Sequence, residues 1–444
     1  MLVACSNPPT RKNFDNEIFQ GHLESAQEIA LKEAGIAKTE TDIATELLWS
    51  LEAGALLRIN NDPARSTQLF DRSEALIKDD ETKNLVAASA DQAASMVVND
   101  NVLDYTPREY DRVMVNTYKA LNFWQQADFN NARVEWNRVD DRQRRAVEHF
   151  ADEINAQKDE LQNSSISKSY NRSLRTLEKF GIEVSKWKPY DGYVNPAALY
   201  LHGLYFLINS ESASDLSKAT ESLKRAYALT ENKQIGADLA LAQQEQGYQV
   251  TPGVWVIFEN GSAAQKVERR IDLPLILLTN SVAYTGIALP TLEAGHSTFS
   301  YLTINGGKHT EAFASMDKII QGEFKTEFNG ILIKELSRAT LKTAAQTVMM
   351  KSKTSTMKIL GIFTGVAHAV TTQADIRSWH TLPYNFQVAY IDWPASGKVT
   401  INPPGGTTIT VDLPTTPQPV IVYVRALNAR STPQVNILMS KNAM

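Results

Sequence analysis

The chain has 444 residues, 43% of them hydrophobic and 21% charged, with 21 Gly, 17 Pro and a single Cys. That composition excludes a disordered, collagenous or disulfide-stapled protein: the apolar content suffices for full cores, and one Cys cannot form an internal bridge. Charge is uneven, since residues 1–250 carry 28 Lys+Arg against 38 Asp+Glu (net −10) and residues 251–444 carry 17 against 12 (net +5); neither half is basic enough to point to nucleic acid, and opposite signs suit two halves that attract one another.

In chain order, Leu2-Val3-Ala4-Cys5 comes first, with the only Cys of the chain, followed by Ser6, Asn7 and Pro8-Pro9. Small residues ahead of a Cys and a polar, Pro-containing leader after it resemble the lipobox of bacterial lipoproteins. The resemblance implies lipidation at Cys5, a tether over residues 1–13 and, with Ser6 after the Cys, the periplasmic face of the outer membrane. No charged and apolar leader precedes Cys5, so this reading expects an upstream signal sequence.

From Phe14 to Gln246 apolar residues recur at helical spacing, which predicts a helical domain over 14–250. Three segments share a plan. Gly54 leads through Asn60-Asn61-Asp62-Pro63 to Phe70; Ala120 leads through Ala127-Asp128 to Trp136 with the same spacing; and Gly203 leads to Ala219 and Leu223 with extra residues around Ser212 to Asp215. Small residues at a close helix crossing, filled by an aromatic or Leu, are the need of a tetratricopeptide-like hairpin. The uneven spacing predicts an irregular α-solenoid with long helices at Leu85 to Val98 and Asp140 to Leu161, and a connecting loop with a short helix at Asn163 to Tyr193.

After Thr251-Pro252-Gly253 the period becomes that of strands, which predicts a second, β-rich unit over 251–444, folding separately with a boundary near Gln249 to Gly253. Val254 to Phe258, Val267 to Leu278, Val282 to Ala288 and Thr298 to Ile304 read as strands, and Asn260-Gly261 as a hairpin turn. Helices are expected at Met316 to Phe328, Ile331 to Met350 and the apolar Met357 to Thr371, an insertion at about 316–371. Strands return at Tyr384 to Ile391, Lys398 to Ile401, Thr407 to Leu413, Val420 to Leu427 and Gln434 to Met439. The fold class is therefore α+β multidomain: a solenoid followed by a β-sandwich or open antiparallel sheet with a helical insertion.

Several motifs carry a wider resemblance: Tyr118-Lys119-Ala120-Leu121-Asn122 with Ala132-Arg133-Val134-Glu135; Val254 to Gly261 with Arg270-Ile271-Asp272-Leu273-Pro274; and Ala374-Asp375-Ile376-Arg377-Ser378-Trp379 with Thr381-Leu382-Pro383. Together they resemble an uncharacterised family of bacterial envelope lipoproteins with tetratricopeptide-like N-terminal helices. The resemblance implies location and architecture, and brings no reaction with it.

Chemistry is sparse in the sequence. The seven His include no His-Glu-x-x-His, and neither a Gly-x-Ser-x-Gly elbow nor a phosphate-binding Gly-x-x-x-x-Gly-Lys loop occurs; no metal, cofactor or catalytic residue is assigned. Among the motif residues Asn122, Glu135, Glu259, Asn260, Gly261, Asp272, Asp375, Arg377 and Trp379, structural roles are expected: a hairpin turn for Glu259, a strand-end hydrogen bond for Asp272, and a local acid–Arg pair at a helix end for Asp375 and Arg377. Lys334, Arg338 and Lys342 form a basic stripe at every fourth residue, suited to an anion or a partner. The functional expectation is a non-enzymatic cell-envelope lipoprotein, a protein-interaction scaffold or assembly factor whose partners are envelope proteins and, through its anchor, the membrane. A carboxylate-dependent cell-wall hydrolase and a lipid or polysaccharide carrier are the alternatives.

Overall fold

A computed structural model describes residues 9–36, 46–88, 104–190, 193–244, 250–276, 282–351 and 374–441. Within them the chain is mixed α+β, helical before residue 250 and rich in sheet after it. The helices are α1 (Pro9–Gln20), α2 (Leu23–Glu33), α3 (Leu47–Ile59), α4 (Pro63–Ala88), α5 (Glu109–Gln125), α6 (Phe129–Glu160), α7 (Ser164–Lys179), α8 (Pro196–Ile208), α9 (Ala213–Thr230) and α10 (Lys233–Ala242), with a 3₁₀ turn at Val184–Lys186. Cys5, all of Met357 to Thr371 and most of Leu85 to Val98 lie outside the described residues.

The helical hairpins α3–α4, α5–α6 and α8–α9 follow from the small-residue pattern. A Cβ added at Gly54 would lie 2.7 Å from the Phe70 ring, and one at Gly203 would lie 2.7 Å from Cγ of Leu223, so each helix pair closes on the space that glycine leaves. The turns repeat as well. Asn61 and Ala127 occupy the same left-handed position (φ 60° and 58°), and the following Asp62 and Asp128 each accept a backbone N–H three residues on at 3.1 Å, from Arg65 and Asn131. Those carboxylates satisfy donors that a helix start leaves open; Ser212 does the same for α9, accepting from the Asp215 N–H.

The strands are β1 (Gly253–Asn260), β2 (Gln265–Ile276), β3 (Val282–Glu293), β4 (Thr303–Ile304), β5 (Lys308–His309), β6 (Glu311–Ser315), β7 (Asn385–Asp392), β8 (Lys398–Asn402), β9 (Ile409–Asp412), β10 (Pro419–Ala426) and β11 (Gln434–Met439), with helix α11 (Met316–Lys351) between β6 and β7. They form a five-stranded sheet in the order β11-β10-β1-β7-β6, a four-stranded sheet β5-β4-β8-β9 and the separate pair β2-β3. β1 runs parallel to β10 and antiparallel to β7.

β1 is buried at all eight residues because both of its faces are covered. Val254, Val256 and Phe258 meet Val399 and Ile401 of the four-stranded sheet. Trp255 and Ile257, on the other face, share one apolar cluster with Tyr118, Trp124 and Tyr200 of the helices and with Trp379 and Tyr423. Helices and sheet are thus built on a common core. A smaller cluster unites Leu177 of α7, Ile271 and Leu289 of the β2–β3 pair, and Phe324, Phe328 and Leu332 of α11.

Several expectations are corrected. Asn260-Gly261 is no hairpin turn: β1 already has β10 and β7 on its two edges, so the chain leaves the sheet, and β2 pairs with β3 instead. Gly261 makes that exit at φ 71°, where a Cβ would stand 2.0 Å from the His296 carbonyl oxygen. Asn163 to Tyr193 contains the 16-residue helix α7, whose buried Ser169, Ser173 and Leu177 recur every fourth residue. The helices expected at 316–328 and 331–350 are one helix, Asp140 to Leu161 mostly extends α6, the strand expected over 298–304 shrinks to Thr303–Ile304, and α1 begins at Pro9 within the expected tether.

Candidate functional site: a buried charged seam between helices and sheet

Charged side chains collect where α1, α3 and α5 meet the sheet and the segment 374–384. Glu259, near the end of β1, accepts a hydrogen bond from the Tyr118 hydroxyl of α5 at 2.9 Å. Its register partner on β10 is Arg425, whose Nε lies 3.7 Å from the Glu259 carboxylate. The Arg425 guanidinium also donates to the carbonyls of Gly261 at 2.8 Å, Ala426 at 2.9 Å and Thr381 at 3.0 Å. Burial and the neighbouring carboxylate push the phenols of Tyr118 and Tyr423 well upward, so both remain protonated. The Arg58 guanidinium lies 5.7 and 5.0 Å from those two ring centroids and donates to Asn122 Oδ1 at 2.9 Å.

Between Arg58, Tyr118, Glu259, Tyr423 and Arg425 is a cavity of about 10 Å³, the size of a single water. The Tyr423 hydroxyl, which lines it, makes no hydrogen bond among the described residues.

Glu52 of α3 is the second node. Fully buried, it accepts from Arg11 Nη2 at 2.6 Å, the His380 N–H at 2.7 Å, and the Thr381 N–H and hydroxyl at 3.1 and 2.7 Å. One carboxylate therefore ties α1 and α3 to the segment leading into β7. Arg11 reaches on to the Ser378 carbonyl at 3.0 Å, and His380 Nδ1 lies 2.8 Å from Asp15. Burial pushes Asp15 up, but its bond to His380 and the charges of His380 and Arg11 outweigh this and leave it below the usual carboxylate value.

The remaining motif residues act locally. Asn122 donates to Ser66 and Thr67, which locks α5 to α4. Glu135 accepts from Asn116 at 2.8 Å and Arg138 at 2.7 Å and pairs with Lys119 at 3.0 Å. Asn260 accepts the Thr298 and Phe299 N–H groups and donates to the Phe299 carbonyl, tying the end of β1 to the connection between β3 and β4. Asp375 receives Arg377 Nε and Nη2, both at 2.9 Å, and the Arg377 N–H at 3.0 Å. Residues 374–379, which hold that pair, form neither helix nor strand, so no helix ends near Trp379; the residues just before Ala374 lie outside the described ones. Trp379 is inserted between Phe70 and Tyr118, with ring centroids 6.0 and 5.9 Å away. Asp272 lies within β2, opposite Gly286, and not at a strand end. Lys334, Arg338 and Lys342 all fall on α11, and only the half-buried Lys334 has a described side chain.

Glu259, Gly261, Trp379 and Asn122 are thus brought to one seam; Glu135 pairs with Lys119, and Asp375 with Arg377 within the segment 374–384 itself. Glu52, Arg58, Thr381, Tyr423 and Arg425 were missed from sequence. The available signal was charge out of place: Glu52 and Arg58 interrupt the apolar helix Leu47–Ile59, and Arg425 interrupts the apolar strand Pro419–Ala426.

Comparison with protein-family models, curated proteins and solved structures finds no match.

Two further buried carboxylates repeat the seam's logic. Asp238 of α10 accepts from the Tyr200 hydroxyl at 2.6 Å and from Trp255 Nε1 of β1 at 3.0 Å, and burial pushes it up to about 6. Glu323 of α11 accepts the Glu109 and Tyr110 N–H groups that open α5, and burial pushes it up to about 8. Among the described residues no group of three His, Cys, Asp or Glu is placed to hold a metal ion, and no helix is long and apolar enough to cross a membrane.

Proposed function

We propose that the chain is a non-enzymatic cell-envelope lipoprotein, lipidated at Cys5 and held at the periplasmic face of the outer membrane, where it serves as a protein-interaction scaffold or assembly factor. One observation carries the non-enzymatic part. Glu259, the motif carboxylate nearest a cavity, is committed to Tyr118 beside a space of about 10 Å³, too small for a sugar or peptide. Asp375, another of the motif carboxylates, is held by three donors of Arg377. The scaffold part rests on the architecture. We read the helical hairpins, with glycine at the α3–α4 and α8–α9 crossings, as an irregular tetratricopeptide-like solenoid over 14–250. The five- and four-stranded sheets with a shared apolar layer are read as a β-sandwich within 251–444.

The location is tested by expression behind an added signal sequence, with mass analysis of the N-terminal peptide and a high-salt wash of the membranes. Acylation at Cys5 and salt-resistant retention that Cys5→Ser abolishes are expected; an unacylated Cys5 removes the lipoprotein reading. The non-enzymatic role is tested on purified cell-wall glycan and peptide. Hydrolysis that Glu259→Gln or Asp375→Asn abolishes in a folded protein would replace this reading with the hydrolase.

A further inference from the structure

Helix α7 carries a charge pattern that the seam does not use. Lys168, Arg172, Arg175 and Lys179 succeed one another at intervals of four, three and four residues, which places them on one helical face, and all four are exposed. None of them is in an ion pair among the described residues; Arg175 spends only its Nε, on the Asn171 carbonyl of its own helix. The opposite face, with Ser169, Ser173 and Leu177, is buried against the β2–β3 pair and α11. From Ser164 to Lys188 the chain holds six Lys+Arg against two acids, in a half whose net charge is −10. The concentration of positive charge is therefore local and runs against its surroundings.

Two neighbouring features indicate what this face meets. Phe180, directly after the stripe, is 55% exposed, and its carbonyl accepts from Arg269 Nη1 of β2 at 3.4 Å. Arg269 and Arg270 are exposed beside it; Glu268 is engaged, with Arg270 at 3.2 Å and with the Ala374 N–H at 2.8 Å. A soluble acidic partner would match the basic stripe but would leave the exposed aromatic without a purpose. Basic residues with an exposed aromatic beside them match the layered chemistry of a bilayer: phosphate outermost, hydrocarbon within.

We infer that the exposed face of α7, with Phe180 and Arg269, is a docking surface for an anionic lipid bilayer. The lysines and arginines meet headgroup phosphates, and Phe180 enters the boundary between headgroups and acyl chains. The surface is independent of any acyl chain on Cys5 and orients the molecule against a membrane.

The test uses the full chain expressed from Met1 without a signal sequence, hence unacylated, in co-flotation with vesicles of phosphatidylcholine alone or mixed with phosphatidylglycerol. Binding is expected only to the mixed vesicles and is expected to weaken steeply with added salt. The triple variant Lys168→Glu, Arg172→Glu, Arg175→Glu should lower the affinity about a hundredfold or more with an unchanged thermal midpoint. Phe180→Ser should weaken binding while keeping its salt dependence. Should the triple variant fail to fold, the salt titration of the parent and Phe180→Ser still decide the question. Equal binding to both vesicle types, binding indifferent to the triple variant, or binding to soluble polyglutamate without binding to vesicles would overturn the proposal.

Discussion

The Tyr118 hydroxyl, on a helix, donates to the Glu259 carboxylate, on the central strand, across 141 residues of sequence and 2.9 Å of space. Both groups are buried, so the bond is made where water does not compete, and either partner alone would be left with an unmet hydrogen-bonding group. Tyr118→Phe should cost about 2 kcal/mol of stability. Combined with Glu259→Gln, its effect should be sub-additive, with a coupling above about 0.5 kcal/mol. Urea midpoints of parent, single and double variants measure this; strict additivity would mean that the two groups do not interact.

Glu52 presents a harsher case, because four donors converge on it. Glu52→Ala strands a buried Arg11 guanidinium together with two backbone N–H groups. A loss of about 3 to 5 kcal/mol is expected, and Glu52→Gln, which keeps some acceptor capacity, should lose less. Comparable stability of Glu52→Ala and parent would show that the node is redundant.

Helices and sheet share one core, so heat or denaturant should unfold residues before and after 250 together, against the sequence expectation of two separately folding units. The calorimetric and van't Hoff enthalpies should then agree for the part of the chain that melts. Two separated transitions, or a protease cut near residues 245–253 that leaves two stable pieces, would contradict the shared core.

The pH dependence has two limbs of opposite sign. Glu323 is pushed up from 4.5 to about 8 by burial, so the folded state holds a proton that the unfolded state releases. Stability should fall as pH rises through that window, and Glu323→Gln should flatten the decline. Asp375 behaves oppositely: burial raises it, but Arg377 outweighs that and holds it below its ordinary value. Its stabilisation is present above the unfolded value near 3.8 and is lost as pH falls through the lowered folded one. Asp375→Asn should lower stability at neutral pH by about 1 to 3 kcal/mol and soften the acid limb. Denaturation midpoints from pH 3 to about 9 test both signs.

Glycine substitutions should rank by what the new Cβ meets. At Gly203 the obstacle is the flexible Leu223 side chain at 2.7 Å; at Gly261 it is a backbone carbonyl at 2.0 Å, with φ at 71°. Gly203→Ala should cost about 1 to 3 kcal/mol through overpacking, and Gly261→Ala more, through added backbone strain. The reverse order in thermal midpoints would argue that the chain leaving β1 is free to shift.

Local pattern made much of this molecule legible. Apolar spacing and turn residues located the hairpins through Gly54, Ala120 and Gly203, the change of period at residue 251, and most strands from β7 to β11 to within a residue or two, because periodicity and backbone sterics act between near neighbours in the chain. The Asn260-Gly261 pair shows the limit: its local preference suits a hairpin, but the edges of β1 were claimed by strands whose partners of Asn260 lie 125 and 166 residues away. Strand partners are chosen by burial across the whole fold, which no local window contains. The seam was hidden for the same reason. Glu52, Glu259, Thr381 and Arg425 lie far apart in sequence, and only the packing of α3 and α5 onto the sheet removes them from water together, so that each must find its counter-charge or donor in the others.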